Sequence, residues 1–454
     1  MYTSKIYTKS PVWLQEGLIS SSALVRKLLR EGGAFKRELH DVLQTQWLSQ
    51  DELGEFQLKK LQAILVHAEK TVPYYREAFA RAGVSSGDIK QLSDIAKLPF
   101  LTKREVFDAQ GGMLSETVKG SRFSGYTSGT TGLSMKGYRD LHAINRENAF
   151  VWRMLMWAGL KYGERRAWIR GDRIVPSEQT QPPFWRHNLA DNMLMMSSYH
   201  LSESSAEAYV KAMEAFDPVM IQCYPNAILL LARFLKSANR KYRGTKLRSV
   251  ATSSETVTDE HRKLVKEVFG ASIFDYYSSF ERVAAIAQCD HGNYHLLSDY
   301  SLVELLPLEE GGMEVVGTGF DNLLMPFIRF RLGDNIVMAD ANYHCPCNRA
   351  FPVVDHLTGR ADDFIRTPDG REVIMMCNIF DGLDNLLEGQ VIQDKLDELR
   401  VLVVPAKGRG GIDKADMVAR AHELVGTGMH VKVEVVDEIP RTKNGKLRMV
   451  VRNI

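Results

Sequence analysis

The segment from Tyr126 to Gly137 concentrates residue types that bind phosphate. It reads Tyr-Thr-Ser-Gly-Thr-Thr-Gly-Leu-Ser-Met-Lys-Gly. Its glycines can adopt positive φ and let backbone N–H groups approach an anion closely, while the hydroxyls and the lysine add donors and charge. The composition therefore predicts a cradle for phosphate oxygens, although a solvated linker is the alternative. The residues assigned to the cradle are Thr127, Ser128, Gly129, Thr130, Thr131, Gly132 and Lys136.

Two further segments offer groups that suit a nucleotide. Asp275–Glu281 leaves a strand with an aromatic and ends on a carboxylate, so Tyr277 can stack on a purine and Glu281 can hold Mg²⁺, which prefers oxygen ligands. Asp334 follows a turn glycine, and a carboxylate there can accept both hydroxyls of a ribose. A solvated glutamate and an aspartate in a β-turn are the structural alternatives.

A basic loop near the end of the chain presents another lysine. Residues 439–448 read Ile-Pro-Arg-Thr-Lys-Asn-Gly-Lys-Leu-Arg, and the Asn-Gly turn displays Lys446. A solvated tail is one interpretation. The other is that Lys446 reaches charge that develops in a carboxylate–phosphate transition state. The charged, turn-forming segment 358–365 suits a hinge between two domains.

Three of the five cysteines fall in two clusters with histidines. One cluster contains Cys289, and the other contains Cys345 and Cys347. Three thiolates and one imidazole would form a closed tetrahedral Zn²⁺ site of the structural type, and reduced buried cysteines are the alternative. The candidate histidines are His291, His295 and His344, whereas Cys223 and Cys377 have no clustered partners and are interpreted as packing residues.

These groups must be positioned by an α/β fold. Between residues 166 and 277, buried strands alternate with amphipathic helices, which predicts a parallel sheet with ligands beyond the carboxyl ends of its strands. The strand-end segments supply candidate substrate-pocket residues, which are Tyr199, His200, Tyr224, Pro225, Ser254 and Ser278. Their aromatic side chains fit an aryl or arylacetic acid, or equally core packing.

The remaining chain divides into three regions. The first hundred residues have helical periodicity, and short strands from Ser298 onward predict an antiparallel β subdomain. A small α/β unit follows Arg360. The predicted fold is therefore α/β, with a large N-terminal domain of mostly parallel sheet over residues 1–361 and a small mobile C-terminal domain over residues 362–454.

Composition limits the kind of protein. The 454 residues are 44% hydrophobic and 25% charged, with a net charge of +2, so no global field favours nucleic acid or an anionic membrane. The beginning of the sequence lacks the apolar run of a signal peptide, and no apolar run has the length of a membrane span. We expect a cytoplasmic protein, and the odd cysteine count gives no expectation of disulfides.

In this order the motifs resemble those of the adenylate-forming superfamily of acyl-CoA synthetases, adenylation domains and luciferases. The order is phosphate loop, aromatic-to-glutamate strand end, Arg-x-Arg-x-Gly-Asp, Gly-Arg-x-Asp-Asp and a C-terminal Gly-Lys. The chain looks most like the branch of phenylacetate-CoA ligases and CapK-like proteins. The signs are residues 67–76, the segment Leu98–Lys103, and a loop lysine four residues after the second glycine.

The resemblance implies roles for the nucleotide-site residues. The 127–132 loop and Lys136 would hold the ATP phosphates, while Ser253, Ser254, Glu255 and Tyr277 would flank the adenine. Asp334 and Arg360 would hold the ribose, Glu281 would bind Mg²⁺, Asp362 would be the hinge, and Lys446 would serve adenylation. The same resemblance favours His295 as the zinc-binding histidine.

Two residues depart from the superfamily pattern. Ser134-Met135 replaces the usual Pro-Lys of the loop, which shifts the role of Lys136. Phe280 replaces a threonine that contacts the α-phosphate, so Ser278 or Ser279 would have to supply a hydroxyl.

The resemblance implies an enzyme that activates a small carboxylic acid with ATP and transfers the acyl group to CoA. The first rival passes the acyl group to an amine, a sugar hydroxyl or a carrier-protein thiol. The rival of another class is an inactive module that binds nucleotide or a partner, and the departures at Met135 and Phe280 are its main support.

Overall fold

The structure is a computed structural model of the whole chain. It describes residues 4–126, 135–202, 204–255, 257–308, 312–358, 364–373, 376–380, 383, 385–405, 410–440 and 450–454.

Helices form the first part of the chain, helices and strands alternate in the middle, and strands predominate after Ser278. The α-helices are α1 (Lys5–Lys9), α2 (Val12–Arg30), α3 (Gly33–Thr45), α4 (Gln50–Thr71), α5 (Pro73–Ala82), α6 (Lys103–Ala109), α7 (Leu141–Trp157), α8 (Ala206–Phe216), α9 (Pro225–Ser237), α10 (Asp259–Phe269) and α11 (Lys414–Val425). The strands are β1 (Phe123–Tyr126), β2 (Lys136–Arg139), β3 (Arg166–Arg170), β4 (Trp185–Asn188), β5 (Met193–Ser197), β6 (Met220–Cys223), β7 (Ser249–Ser253), β8 (Ser272–Ser278), β9 (Ala285–Gln288), β10 (Tyr294–Leu296), β11 (Ser301–Pro307), β12 (Met313–Gly319), β13 (Phe330–Met338), β14 (Val353–Thr358), β15 (Ile365–Arg366), β16 (Glu372–Val373), β17 (Leu386–Lys395), β18 (Glu398–Pro405), β19 (His430–Val435) and β20 (Val450–Arg452).

The helical N-terminal region has clear start and stop signals. Ser49 and Glu52 form a reciprocal capping box at the start of α4. Pro73 cannot continue α4 and instead occupies the first turn of α5, where its missing N–H costs nothing. Helix α5 ends at Gly83, whose φ of 64° is the left-handed conformation that glycine adopts freely. These helices agree with the helical periodicity of the first hundred residues, and Pro73 and Gly83 are the local signals that set the boundaries of α5.

One twelve-stranded sheet forms the centre of the molecule. Its strand order is β11-β12-β13-β14-β10-β9-β8-β7-β6-β3-β5-β4. The run β8-β7-β6-β3-β5 is parallel, as the alternation of strands and helices predicts. The predicted antiparallel strands also form, and they continue the same sheet through β9. The carboxyl ends of β3, β6, β7 and β8 therefore meet along one edge, where ligands bind in such sheets.

One strand of the antiparallel region lies later than predicted. The sequence favours a strand over residues 327–331, whereas β13 runs from Phe330 to Met338. Pro326 has no N–H to give to a ladder, and Arg329 has a φ of 50°, which no regular strand contains. The extended chain therefore starts only after Arg329.

The C-terminal residues form a smaller α/β unit. Its sheet has the order β19-β18-β17-β20, and α11 packs on it around a separate apolar cluster. The sequence pattern favours strands at 400–404 and 431–436 and a helix at 414–425, and these correspond to β18, β19 and α11. The unit contacts the main sheet where Arg371 Nη1 donates to Tyr199 O at 2.9 Å. The predicted boundary at residue 362 lies outside the described residues.

Within the described ranges, no helix combines the length and the apolar composition that crossing a membrane requires.

Candidate functional site

A two-stranded hairpin carries the predicted phosphate loop. Strands β1 and β2 pair antiparallel, with Tyr126 opposite Lys136 and Gly125 opposite Gly137. Because side chains alternate along a strand, Tyr126 and Lys136 lie on one face of the hairpin, and Gly125 and Gly137 lie on the other. The predicted phosphate-binding residues of the loop lie outside the described residues, and these are Thr127, Ser128, Gly129, Thr130, Thr131 and Gly132.

Lys136 lies between two aromatic side chains on the first face of the hairpin. Its Nζ is 5.6 Å from the ring centroid of Tyr126 and 5.5 Å from that of Tyr138. Hydrogen bonding to Tyr138, and then to Tyr126, raises the pKa of Lys136. The lysine is therefore fully protonated at neutral pH and is held at the base of the loop.

The opposite face of the hairpin packs on Phe280. A Cβ added to Gly137 would lie 2.7 Å from Phe280 Cε1, and one added to Gly125 would lie 3.0 Å from Cε2. Arg139 covers the ring, with Cζ 3.9 Å from its centroid, and donates a hydrogen bond to Phe280 O. Burial lowers the pKa of Arg139 to about 10, which leaves it charged at neutral pH. Phe280 thus fixes the hairpin against the strand end that carries Glu281.

The departure from the superfamily pattern at Met135 also has a structural explanation. Met135 is 1% exposed and lies in an apolar cluster with Val283, Ile286 and Phe330. A lysine would be costly at this buried position, because its charge would leave water. The half-buried position that follows Met135 is taken by Lys136.

Two predicted nucleotide residues from distant parts of the chain are in direct contact. Tyr277 Oη donates to Asp334 Oδ2 at 2.8 Å, although 57 residues separate them. Tyr277 lies near the carboxyl end of β8, and Asp334 follows Gly333, whose φ of 73° requires a glycine-like turn within β13. The carboxylate and the aromatic ring are therefore presented together, as binding of a nucleoside requires.

The polar residues near the end of β8 differ in exposure and in hydrogen bonding. Glu281 is buried, with 6% of its surface exposed. Ser279 Oγ accepts a hydrogen bond from Val283 N at 3.1 Å, which holds the turn, whereas Ser278 is exposed. Of the two serines proposed to replace the missing threonine hydroxyl, Ser278 is thus the more accessible to a ligand.

The predicted substrate-pocket residues separate into two groups. Tyr199 Oη donates to Gly171 O at 3.1 Å, and Tyr224 Oη accepts from Gly171 N at 3.3 Å, so both hydroxyls converge on one residue. Pro225 begins α9 directly after Tyr224.

His200 forms the second group, because packing and hydrogen bonds hold its ring in place. Its ring stacks on Phe184 at 5.1 Å, and its nitrogens bond to Ser197 Oγ and Pro176 O. Burial and then Arg371 lower the pKa of His200 to about 4.

The segment that follows β7 lies beside a residue that the sequence analysis missed. Arg170 Nη2 donates to Ser254 Oγ at 3.0 Å, while Ser253 Oγ lies 3.4 Å from the same oxygen and Glu255 is half-buried after it. Arg170 ends β3 at the same sheet edge as Tyr224. An arginine closing an otherwise buried strand at this edge is the signal that would have identified it.

The predicted metal ligands form one compact cluster. Cys289, His295, Cys345 and Cys347 are all buried, and their ligand atoms lie within 4.8 Å of one another. Cys347 Sγ is 3.3 Å from His295 Nε2, and Cys289 Sγ is 3.6 Å from Cys345 Sγ. The exposed His344 is not in the cluster; its Nδ1 lies 2.8 Å from Asn342 O.

The surroundings of the cluster suit a tetrahedral zinc ion. His295 Nδ1 lies 3.1 Å from Phe351 O, and donation to that carbonyl leaves the Nε2 lone pair directed at the thiols. Asn293 Nδ2 donates to Cys345 Sγ at 3.3 Å, which favours a thiolate there. Three sulfurs and one imidazole nitrogen are the donor set of a structural zinc site. Cys223 is buried separately in the main apolar cluster, and nothing is described of the Cys377 side chain.

Three predicted residues cannot be located relative to this site. Arg360, Asp362 and Lys446 all fall outside the described residues, so their assigned roles remain predictions.

Known proteins similar to this chain fall into the expected branch. Residues 365–453 match the family described as the CapK C-terminal domain. Protein CapK of Staphylococcus aureus is 24% identical over 460 residues, which cover 99% of each chain. A phenylacetate-coenzyme A ligase of Pseudomonas putida is 27% identical over 374 residues, which cover 79% of each.

A solved structure shares the fold. It is 2-hydroxyisobutyryl-CoA ligase in the postadenylation state, with a TM-score of 0.55 and 17% identity over 90% of this chain and 91% of that one. The chain is therefore a relative of CapK and of the phenylacetate-coenzyme A ligases, and it has the fold of the adenylate-forming ligases.

Proposed function

We propose that this protein activates a carboxylic acid with ATP. A carboxylate oxygen of the acid attacks the α-phosphorus, the bond from that phosphorus to the bridging oxygen of pyrophosphate breaks, and an acyl-adenylate forms. The acyl group then passes to the thiol of CoA, with release of AMP. Residues 1–361 would bind ATP and the acid, and residues 362–454 would form a mobile domain.

The contact between Tyr277 and Asp334 is the observation that carries the proposal. It joins the predicted adenine-stacking ring to the predicted ribose-binding carboxylate at 2.8 Å. The hairpin that carries the phosphate loop packs on Phe280, three residues after Tyr277. The residues predicted for base and sugar, and the hairpin that leads into the predicted phosphate loop, thus lie around one strand end, which supports the proposal, as do the relatives named as CoA ligases.

The described residues supply the charges that this reaction needs. Lys136, protonated between its two tyrosines, lies at the base of the predicted phosphate loop, where it would add positive charge for the phosphate oxygens. Glu281 offers a buried carboxylate, which is the hard oxygen donor that Mg²⁺ prefers, so Glu281 would hold that ion. When bound, Mg²⁺ neutralises charge on the phosphate oxygens.

The C-terminal part of the mechanism rests on sequence. Lys446 would face the negative charge that develops during adenylation, Arg360 would assist at the ribose, and Asp362 would allow the small domain to turn between the two half-reactions. The contact of the small unit with Tyr199 supports this arrangement, because it brings that unit beside the substrate-pocket residues.

We also infer a structural zinc ion at Cys289, His295, Cys345 and Cys347. It would tie the turn after β9 to the loop before β14, two segments that are otherwise more than 50 residues apart along the chain. No step of the reaction depends on it.

A different acyl acceptor is the first alternative. The match that extends over 99% of the chain is to CapK, whose name contains no coenzyme A, whereas the match to the Pseudomonas coenzyme A ligase covers 79%. An amine, a sugar hydroxyl or a carrier-protein thiol would replace CoA without any change in the first half-reaction.

The alternative of an inactive binding module was suggested by the substitutions at Met135 and Phe280, and the contacts of these two residues weaken it. Met135 fills an apolar cluster, and Phe280 anchors the hairpin. Both substitutions have structural roles, so neither indicates decay of a catalytic site.

Exchange of labelled pyrophosphate into ATP tests the proposal. The protein is supplied with aromatic, aliphatic, hydroxy and amino acids in turn, and products are then identified by mass spectrometry with and without CoA. Acid-dependent exchange with a CoA thioester as product supports the proposal. Exchange followed by a product that forms without CoA supports the alternative acceptor, and ATP binding without exchange supports the inactive module.

A further inference from the structure

Helix α2 has a second apolar face, which is directed away from the rest of the protein. Its inner face carries Gln15, Ile19 and Ala23, which recur every four residues and are all buried. At 100° per residue, six exposed residues lie within about 60° of the opposite direction. They form the outward face, which consists of Trp13, Gly17, Ser21, Leu24, Val25 and Leu28. The outer face of a surface helix is usually polar, whereas this one contains no charged residue.

The charged side chains of α2 that the structure describes are directed at the edge of the central sheet. Each contacts β4, the last strand in the sheet order, or the turn that follows it. The contacts join Glu16 Oε1 to His187 N at 2.8 Å, Lys27 Nζ to Ala190 O at 3.0 Å and Arg26 Nη2 to Asp191 Oδ2 at 3.7 Å. The helix therefore covers an open sheet edge with its polar groups, while its apolar residues remain on the outside.

Apolar residues beside α2 enlarge the outward face. Leu189 is 78% exposed, and its N donates to Ser20 Oγ of the helix at 3.0 Å. Ile6 of α1 is also 78% exposed. Of the fifteen exposed large apolar residues in the described ranges, seven lie on α1, on α2 or at Leu189. Such a concentration differs from the scattered apolar residues of an ordinary protein surface and indicates an interaction site.

Basic residues surround the outward face. Residues 4–30, which include α1 and α2, contain five lysines and arginines and one acidic residue. This stretch therefore carries a charge of +4 and the rest of the chain carries −2, so the net charge of +2 conceals a local excess. Lys9 in the last turn of α1 is exposed, as are Lys36 and Arg37 in α3. An apolar helix face with basic residues around it is typical of helices that lie on anionic membranes.

A bilayer with anionic lipids suits this surface better than a second copy of the chain. Pairing two α2 helices would bring together two stretches that each carry +4, and like charges across an interface repel. Anionic lipid phosphates attract these charges, and the acyl chains accept an apolar face without matched packing. Trp13, which is 71% exposed at the start of the helix, is the residue type that prefers the boundary between headgroups and acyl chains.

We propose that α2 attaches this protein to an anionic membrane surface. The outward face enters the boundary between headgroups and acyl chains, and Lys9, Lys36 and Arg37 meet the lipid phosphates. The helix lies on the membrane and does not cross it, because its other face is bonded to β4 and to the turn after it. The proposal is independent of the proposed ATP chemistry.

Sedimentation of the full chain with vesicles tests the proposal. One set of vesicles contains phosphatidylcholine alone, and the other contains equal parts of phosphatidylcholine and phosphatidylglycerol. The apolar test variant is Leu24→Gln with Leu28→Gln, and its control is Leu396→Gln with Val435→Gln, two exposed apolar residues of the C-terminal unit. The charge variant is Lys36→Gln with Arg37→Gln, and its control is Arg233→Gln with Lys236→Gln on the surface of α9.

The wild type should bind the anionic vesicles about 10-fold or more better than the neutral ones, and added salt should weaken this binding. The apolar test variant should lower the partition coefficient about 30-fold or more, and the charge variant about 10-fold. Both controls should bind like the wild type.

Tryptophan fluorescence locates the contact. Brominated lipids in the anionic vesicles should quench part of the wild-type emission, because Trp13 enters the bilayer. That part should be missing in Trp13→Phe and present in Trp47→Phe, which removes another exposed tryptophan.

Three results would overturn the proposal. The first is a folded protein that does not bind anionic vesicles, and the second is a Leu24→Gln, Leu28→Gln variant that binds them as well as the wild type. The third is a dimer in solution that the same variant dissociates, without vesicle binding, which would assign the outward face to a second copy of the chain. All three leave pyrophosphate exchange, and with it the proposed function, untouched.

Discussion

Tyr277 and Asp334 are hydrogen-bonded to each other at the edge of the central sheet where its parallel strands end, with 2.8 Å between Oη and Oδ2. The first residue belongs to a parallel strand, and the second belongs to an antiparallel one. The contact therefore joins the two regions of the central sheet at the point where ATP is proposed to bind. A tyrosine that donates to a carboxylate also fixes which oxygen of Asp334 remains for a ribose.

Replacing either partner should weaken ATP binding. Tyr277→Phe removes a hydrogen bond to a charged group, and Asp334→Asn removes the charge, so we expect the KM for ATP to rise about 10- to 100-fold. The measurement is pyrophosphate exchange as a function of ATP concentration. Tyr162→Phe, which removes a surface hydroxyl bonded to Glu31, is the matched control and should leave the KM unchanged. An unchanged KM in both test variants would contradict the assignment.

A methyl group at Gly137 should disturb the phosphate loop through Phe280. The new Cβ would lie 2.7 Å from the ring, so the hairpin or the ring must move, and we expect kcat/KM for exchange to fall about 10-fold or more. The double variant Gly137→Ala with Phe280→Leu provides space and should recover part of the loss. Gly17→Ala, where nothing lies within 4 Å, is the control. Strictly additive effects would show that the two residues do not act together.

Zinc content tests the proposed metal cluster directly. The purified protein should contain about one zinc ion per chain by mass spectrometry of the metal, and Cys345→Ser should lose it together with thermal stability. Cys223→Ala removes a buried thiol outside the cluster, so it should keep the metal even if its stability changes. A wild-type protein without zinc after expression in zinc-supplemented medium would favour reduced, buried cysteines instead.

Burial of His200 predicts a pH dependence of stability. Its pKa falls from 6.5 to about 4 in the folded protein because burial disfavours the charged ring. Between these values the unfolded chain binds a proton that the folded chain does not, so the free energy of unfolding decreases as pH falls from 6.5 to 4. His200→Gln should flatten the dependence of the urea midpoint on pH in this window. His430→Gln, at an exposed position, should leave it unchanged. Parallel curves for wild type and His200→Gln would refute the assignment.

Lys446 should act in one half-reaction. Lys446→Ala should lower pyrophosphate exchange by about 10²-fold or more, because we propose that the lysine faces the charge of the adenylation transition state. The same variant should convert a supplied acyl-adenylate and CoA to product at a rate close to that of the wild type. If a well-folded variant lost both activities together, the two-conformation mechanism would be wrong.

Much of the fold follows from local signals in the sequence. The strands that become β3, β6, β7 and β8 are short buried runs bounded by helices, and the start and end of α5 follow from Pro73 and Gly83. The long helix α7 was not predicted. Its buried face includes Arg146 and Arg153. These two charged residues interrupt the helical pattern of apolar residues from which the helix would otherwise be predicted. Arg153 is paired with Asp299, a tertiary contact that local sequence cannot indicate.

The candidate site was predictable in its residue types but not in its contacts. Motif order identified Tyr277 and Asp334, yet only the strand pairing brings them together. The substitutions at Met135 and Phe280 looked like losses in the sequence, whereas the structure gives each a packing partner. Arg170 has no motif around it, since its significance depends on three neighbouring strand ends.

Acid-dependent exchange of pyrophosphate into ATP is the measurement that tests the central claim most directly. It reports formation of an acyl-adenylate without any assumption about the acyl acceptor. We predict exchange that requires both Mg²⁺ and an acid and that Asp334→Asn weakens through the KM for ATP. A correctly folded, ATP-binding protein that exchanges no pyrophosphate with any acid of the panel would contradict the account.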